Sequence, residues 1–203
     1  MLNDMERVFK TKQGELVDVV QHTRDILAGQ KALGNKVKIF IGTDSQDKGG
    51  KSTYATCICY WYGNEVEVKK GEFDFNGYGV HYIYTKEHIP RLRDTFSRLY
   101  KETEYTMEIA EWFVKEFPLC DITVDLDYNV KPNTKSNMLV ASTKGWAEAM
   151  GLKANIKLDW EDENTKYMVQ VATKAADREC RGGGSKSNNR KKYRKEKKAN
   201  KNN

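Results

Sequence analysis

Residues 42–53 read "GTDSQDKGGKST", and the two halves of this stretch point to different chemistry. Gly50-Lys51-Ser52-Thr53 matches the end of a phosphate-binding P-loop. Gly42-Thr43-Asp44-Ser45 instead closes the apolar run "KVKIFI" (36–41), as a buried strand delivering a carboxylate at its end would. A P-loop needs G-x-x-x-x-G-K-[ST] with a helix directly behind it. Counting back from Gly50, the first glycine position holds Ser45, and the following "TYATCICYWY" (53–62) is aromatic and β-branched with no helical period. Without a helix N-terminus the amide donors and dipole that hold phosphate are missing. "QDKGGK" therefore reads as a polar hairpin turn, and Asp44 becomes the residue to follow.

Outward from this hairpin, "GELVDVVQHTRDILAGQ" (14–30) has the apolar spacing of a helix and ends in glycine. "STYATCICYWYG" is a second strand, with Gly63-Asn64 as a turn before "EVEVKKGEFDF". Asn76-Gly77 is another turn signal ahead of "VHYIYTKEH". The economical reading is three successive antiparallel strands, the third broken or doubled. A long helix is predicted from Pro90 to Phe117, with Pro90 in its first turn. "CDITVDLDYN" (120–129) returns to strand, and a helix is predicted from Asn133 or Thr134 to Gly151. "LKANIKLDW" (152–160) is a strand, and "ENTKYMVQVATKAADREC" (163–180) a closing helix. A meander leading into βαβ units implies a mixed α/β sheet with helices on both faces, preceded by one helix.

A chain of 203 residues supports one substantial core. No early basic-then-apolar leader and no run of about 18 apolar residues stands in it, so a soluble, cytoplasmic protein is expected, without a membrane partner. Cys57, Cys59, Cys120 and Cys180 are too scattered for a disulfide framework or a zinc site. Cys57 and Cys59 read as small apolar residues on one side of a strand. Charge is divided sharply. Residues 181–203 hold ten Lys or Arg against one Glu, a net +9, while residues 1–180 hold 25 Lys or Arg against 28 Asp or Glu, a net −3. The expected organisation is an N-terminal helical segment (1–36) packed on the core, a core domain (37–180) and a disordered basic tail (181–203). The tail, with Arg190, Lys191, Lys192, Arg194, Lys195, Lys197 and Lys198, reads as an electrostatic tether to a phosphate backbone.

Other carboxylates join Asp44. In "DITVDLDYN", alternation places Ile122, Val124 and Leu126 on one face, and Thr123, Asp125 and Asp127 on the other. In the long helix, Leu99, Thr103, Thr106, Ala110, Phe113 and Phe117 form the inward stripe, and Glu102 lies within that sector. A buried glutamate needs a partner, either a metal ion shared with Asp44 and Asp127 or a salt bridge to a core-facing arginine. Asp177 flanks the stripe of the closing helix and is either a surface residue or a fourth carboxylate leaning over the strand ends.

This order of acids resembles the RNase H-like superfamily, and more closely the YkuK-type family within it. The resemblance is carried by "IGTDSQ" (41–46), "GYGVHYIYTK" (77–86), "RLYKETEYTMEIA" (98–110), "DLDYN" (125–129), "TKSNMLVASTKGWAEAMGLKANIK" (134–157) and "AADR" (175–178). It implies an RNase H-like fold with a five-stranded mixed sheet, and makes Asp44, Glu102, Asp127 and Asp177 the catalytic, metal-holding acids. The family's strand pattern has H-x-D where this chain has Asp125-x-Asp127, so Asp125 is a further ligand candidate and either aspartate could be the main one. The resemblance also implies Mg2+ or Mn2+ as cofactor, in a two-metal site bridged by Asp44, and a nucleic-acid substrate. Ser45, Lys131 and Lys135 are candidate phosphate contacts. The implied activity is phosphodiester hydrolysis in RNA, RNA–DNA hybrid or structured DNA. The alternative is a non-catalytic nucleic-acid-binding module with a degenerate acidic site. An actin-like or kinase-like phosphotransferase also begins with an aspartate hairpin, but at this length the chain lacks the second, duplicated domain.

Overall fold

The computed structural model describes residues 7–128, 137–156 and 170–182. In chain order the elements are β1 (Phe9–Thr11), β2 (Leu16–Val17), α1 (Val19–Ala32), β3 (Lys36–Lys48), β4 (Lys51–Lys69), β5 (Glu72–Pro90), α2 (Thr95–Glu116), β6 (Asp121–Leu126), α3 (Asn137–Ala149), β7 (Lys153–Ile156) and α4 (Val171–Cys180). They build one mixed sheet in the order β2-β1-β5-β4-β3-β6-β7. β3, β4 and β5 form the antiparallel meander, while β6 runs parallel to β3 and β7 parallel to β6.

The sheet has seven strands rather than the five expected. β1 lies ahead of the predicted first helix and β2 takes up residues 16 and 17 of it; β1 pairs antiparallel with β5 through Lys10–Tyr84 and Thr11–Ile83, and β2 pairs with β1. Strands of three and two residues are too short for alternation to show. They form because the outer edge of β5 offers unpaired backbone groups, and Phe9 then enters the core at 1% exposure. Helix α1 accordingly starts later than its pattern, with the Asp18 side chain accepting from the Gln21 amide as N-cap.

Both turn signals inside the meander also fail. β4 and β5 continue through Gly63-Asn64 and Asn76-Gly77, which pair with each other beside a register shift at Tyr62–Gly63, and the chain reverses at Lys70-Gly71. The glycines serve close approach instead. A Cβ on Gly77 would fall 2.0 Å from the Trp61 ring, and one on Gly63 would fall 2.2 Å from the Asn76 carbonyl oxygen. The turn at Gly49-Gly50 is as predicted, with φ of 59° and 80° in a two-residue loop between paired Lys48 and Lys51. Pro90 ends β5 and is not part of the helix. Asp94 caps α2 by accepting from the Ser97 amide.

Helices α1, α2 and α3 cover one face of the sheet, burying Ile39, Ile41, Ile58, Val124 and Leu126 against Ile109, Phe113 and Leu139. α4 alone packs on the other face, where Ala172, Ala175 and Ala176 meet Phe40, Ala55, Cys57 and Cys59. Its small residues bring the helix close to the strands. Gly42 is required there, since a Cβ would sit 3.0 Å from both Asp125 and Thr173. Lys131, Lys135, the N-terminal part of the predicted α3, residues 163–169 of the predicted closing helix and the basic cluster from Arg190 to Lys198 lie outside the described residues.

Candidate functional site

The parallel pairing of β3 and β6 sets Gly42 opposite Asp125. Carried two residues on, this register brings Asp44 beside Asp127 at the carboxyl ends of the two strands. α4 crosses the same end and contributes Asp177. The three aspartates line one cavity of about 320 Å3 together with Ser45, Gln46, Arg98, Thr173, Lys174 and Arg181. Asp44 is half-buried and its carboxyl is pushed up to about 6, first by burial and then by the negative charges of Asp177 and Asp127, against the pull of the Ser45 amide. Asp177 is held by Arg181 Nε at 2.7 Å and Gln46 Nε2 at 3.2 Å, both donating to Oδ1.

Glu102 projects from α2 on the other side of β3. It is 7% exposed and accepts the Ser45 hydroxyl at 2.5 Å. Burial pushes its carboxyl up to about 8, with Asp44 and Asp127 adding to the rise, while Ser45 and Arg98 oppose it. Its direct partner is thus a serine. Arg98, one helical turn earlier, acts on it through space and lies 3.9 Å from Asp47.

Asp125 is not brought to this cavity. It is fully buried, and its two oxygens accept from Asn155 Nδ2 and the Ala172 amide, each at 2.7 Å. It therefore fastens the first turn of α4, while the Cys180 thiol at the far end donates to the Asp44 carbonyl at 3.1 Å. The bond from the Ala172 amide fixes the helix that carries Asp177 to β6, and the bond from Cys180 fixes it to the strand that carries Asp44.

Sequence reasoning missed Gln46, Arg98, Thr173, Lys174 and Arg181, which complete the cavity wall. Arg98 could have been found from its i,i+4 relation to Glu102. Thr173, Asp177 and Arg181 stand at i,i+4,i+8 on one side of α4 and its C-terminal extension. Among the described residues, no three His, Cys, Asp or Glu side chains are gathered so as to hold a metal ion as they stand. The donor set itself is oxygen-only, which is the chemistry that hard divalent cations take. Thr173 Oγ1 and Arg98 Nε on the cavity wall are buried and, among the described residues, have no hydrogen-bond partner.

A mixed sheet with acids meeting at the ends of two adjacent parallel strands, and a further acid on the helix across them, defines a nuclease-like module of the RNase H-like class. A family model for ribonuclease H-like proteins matches residues 18–178, and the chain belongs to that family, in its YkuK-type branch. No curated protein and no solved structure matches the chain. Among the described residues, no helix is long and apolar enough to cross a membrane.

Proposed function

We propose that this protein is a divalent-metal-dependent nuclease that hydrolyses phosphodiester bonds in RNA, an RNA–DNA hybrid or structured DNA. The observation that carries this reading is the meeting of Asp44, Asp127 and Asp177 at one cavity whose wall also holds Arg98, Lys174 and Arg181. Asp44, Asp127 and Asp177 would hold Mg2+ or Mn2+, with Glu102 behind Ser45 within electrostatic reach. Such an ion, when bound, supplies the charge that activates water and stabilises a leaving oxygen. The chain's own part is positional. The Ser45 amide and the hydrogen-bonded end of α4 fix Asp44, and Gln46 and Arg181 orient Asp177. Arg98, Lys174 and Arg181 present cationic donors to phosphate oxygens. The basic tail would raise the local concentration of nucleic acid without selecting sequence.

The second reading is a nucleic-acid-binding module without turnover. It is favoured by the present orientation of the acids, with Glu102 engaged by Ser45 and Asp177 by Arg181. Incubation of the protein and of Asp44→Asn with labelled RNA, hybrid and branched DNA in Mg2+ or Mn2+ separates the two. Cleavage that needs both metal and Asp44 supports the nuclease. Binding with no cleavage of any substrate, or cleavage undiminished in Asp44→Asn, overturns it.

A further inference from the structure

A second cavity, of about 570 Å3, adjoins the first along α4. Its volume falls within the range of sites for small ligands, roughly 300–1,000 Å3. Trp61 of β4 and Val80 and Tyr82 of β5 line it on the sheet side, where Trp61 and Tyr82 also belong to the apolar contact between the sheet and α4. Lys174 and Arg178 stand on the helix side, and Lys12, in the turn between β1 and β2, stands opposite. At ~100° per residue, Thr173 and Asp177 occupy one flank of α4 and Ala175 and Arg178 another. Lys174 lies at the boundary and lines both cavities.

The two cavities differ in charge. Among the described residues, the first is lined by three carboxylates and three cations, whereas the second is lined by three cations and no carboxylate. Among the described residues, neither Lys12, Lys174 nor Arg178 forms an ion pair. Trp61 is held rigidly at this place. Its ring meets Phe75 edge-on at 4.9 Å and Phe40 at 5.7 Å, and rests against Gly77. An aromatic ring already immobilised gives up little freedom when another flat group is laid against it.

We propose that this cavity binds an unpaired strand of nucleic acid, with a base against Trp61 and the phosphates on Lys12, Lys174 and Arg178. Cations alone would suit any polyanion. The fixed indole adds a requirement for a flat ring, and a base offers its face only when it is out of a duplex. The inference rests on the nuclease reading for one point only: a strand whose phosphodiester lies at Asp44 passes Lys174 into this cavity. The preferred substrate is then one with a single-stranded segment beside the cleaved bond.

The test is fluorescence anisotropy of the full chain with short unpaired RNA, short unpaired DNA and a blunt duplex, at about 200 mM salt so that tail binding is suppressed. Lys12→Glu, Trp61→Leu and Trp61→Phe are compared with the parent, with thermal melts to verify folding. Lys12 lies in an exposed turn, so its variant reads binding even if Trp61→Leu does not fold. Expected is a loss of about fivefold or more in single-strand affinity for Lys12→Glu and Trp61→Leu, with Trp61→Phe near the parent and duplex binding unmoved. The RNA and DNA arms show which strand is taken, and retention of either one supports the site. Unchanged single-strand binding by Lys12→Glu and by the folded Trp61 variants, or an equal loss on duplex, overturns it. Cleavage dependent on Asp44 together with unchanged single-strand binding removes this proposal alone. Impaired single-strand binding with no cleavage keeps the site and removes the nuclease.

Discussion

Ser45 donates its hydroxyl hydrogen to Glu102 at 2.5 Å, joining the strand that carries Asp44 to the helix laid across it. Both residues are buried, so the bond holds a carboxyl group where water cannot solvate it. Ser45→Ala should destabilise the protein by about 1–3 kcal/mol, the usual cost of leaving a buried polar group unpartnered. Glu102→Gln should melt at the same temperature as the parent or a few degrees above it, because the amide removes the burial cost of a charge. Thermal unfolding of both variants at neutral pH is the check. A Gln variant that melts well below the parent would contradict the assignment of burial as the main influence on Glu102.

Asp125 should prove a structural anchor. Asp125→Ala strands the Ala172 amide and Asn155 Nδ2 in a dry interior, at a cost of about 2–4 kcal/mol. That corresponds to a fall in Tm of roughly 5–15 °C for a chain of this size. Asp44→Asn should cause no such fall, since it relieves repulsion from Asp127 and Asp177. Parallel melts of the two variants decide the matter, and equal losses would show that Asp125 has no special part in fastening α4.

His22 on α1 and His81 on β5 lie with their Nε2 atoms 2.8 Å apart, a distance that suits one shared proton and not two. Burial lowers both rings below the ordinary histidine value, His22 lowers His81 further, and Asp25 partly offsets the effect at His22. The unfolded chain therefore binds more protons than the folded one below about pH 6.5. Their contribution is complete above that pH and is lost as pH falls. His81→Gln should accordingly lose less Tm than the parent between pH 7.5 and 5.5, as measured by thermal melts across that range. An identical pH dependence would exclude the pair as a source of acid sensitivity.

The tail carries a separate prediction. Replacing Arg190, Lys191, Lys192, Arg194, Lys195, Lys197 and Lys198 with Gln should weaken nucleic-acid binding at ~50 mM salt by about tenfold or more, and flatten the dependence of log K on log salt. Titrations at several salt concentrations measure both. A slope that stays the same would assign the electrostatic binding to the folded body instead.

The alternation in "DITVDLDYN" and the helical stripe around Glu102 were legible because burial imposes periods of 2 and 3.6 on any chain that covers one face. The same period led Glu102 to be recognised as an inward acid, and its position bears this out. The N-terminal strands were not legible, because pairing with the edge of β5 rather than local sequence makes them. Gly63-Asn64 and Asn76-Gly77 misled for a related reason. A glycine that permits a turn and a glycine that makes room for a tryptophan ring look alike until the opposite strand is in place.

"GTDSQDKGGKST" by itself determined a strand, a tight turn and a carboxylate at the strand's end, since those follow from neighbours along the chain. Which acids would share Asp44's surroundings was decided only by the tertiary structure. Asp125 and Asp127 are two residues apart on one face, yet one is tied to the amide of Ala172 and the other lines the cavity. The division depends on where α4 crosses the sheet. That crossing is set by small residues at Gly42, Ala172 and Ala176, which make contacts across more than a hundred positions of sequence.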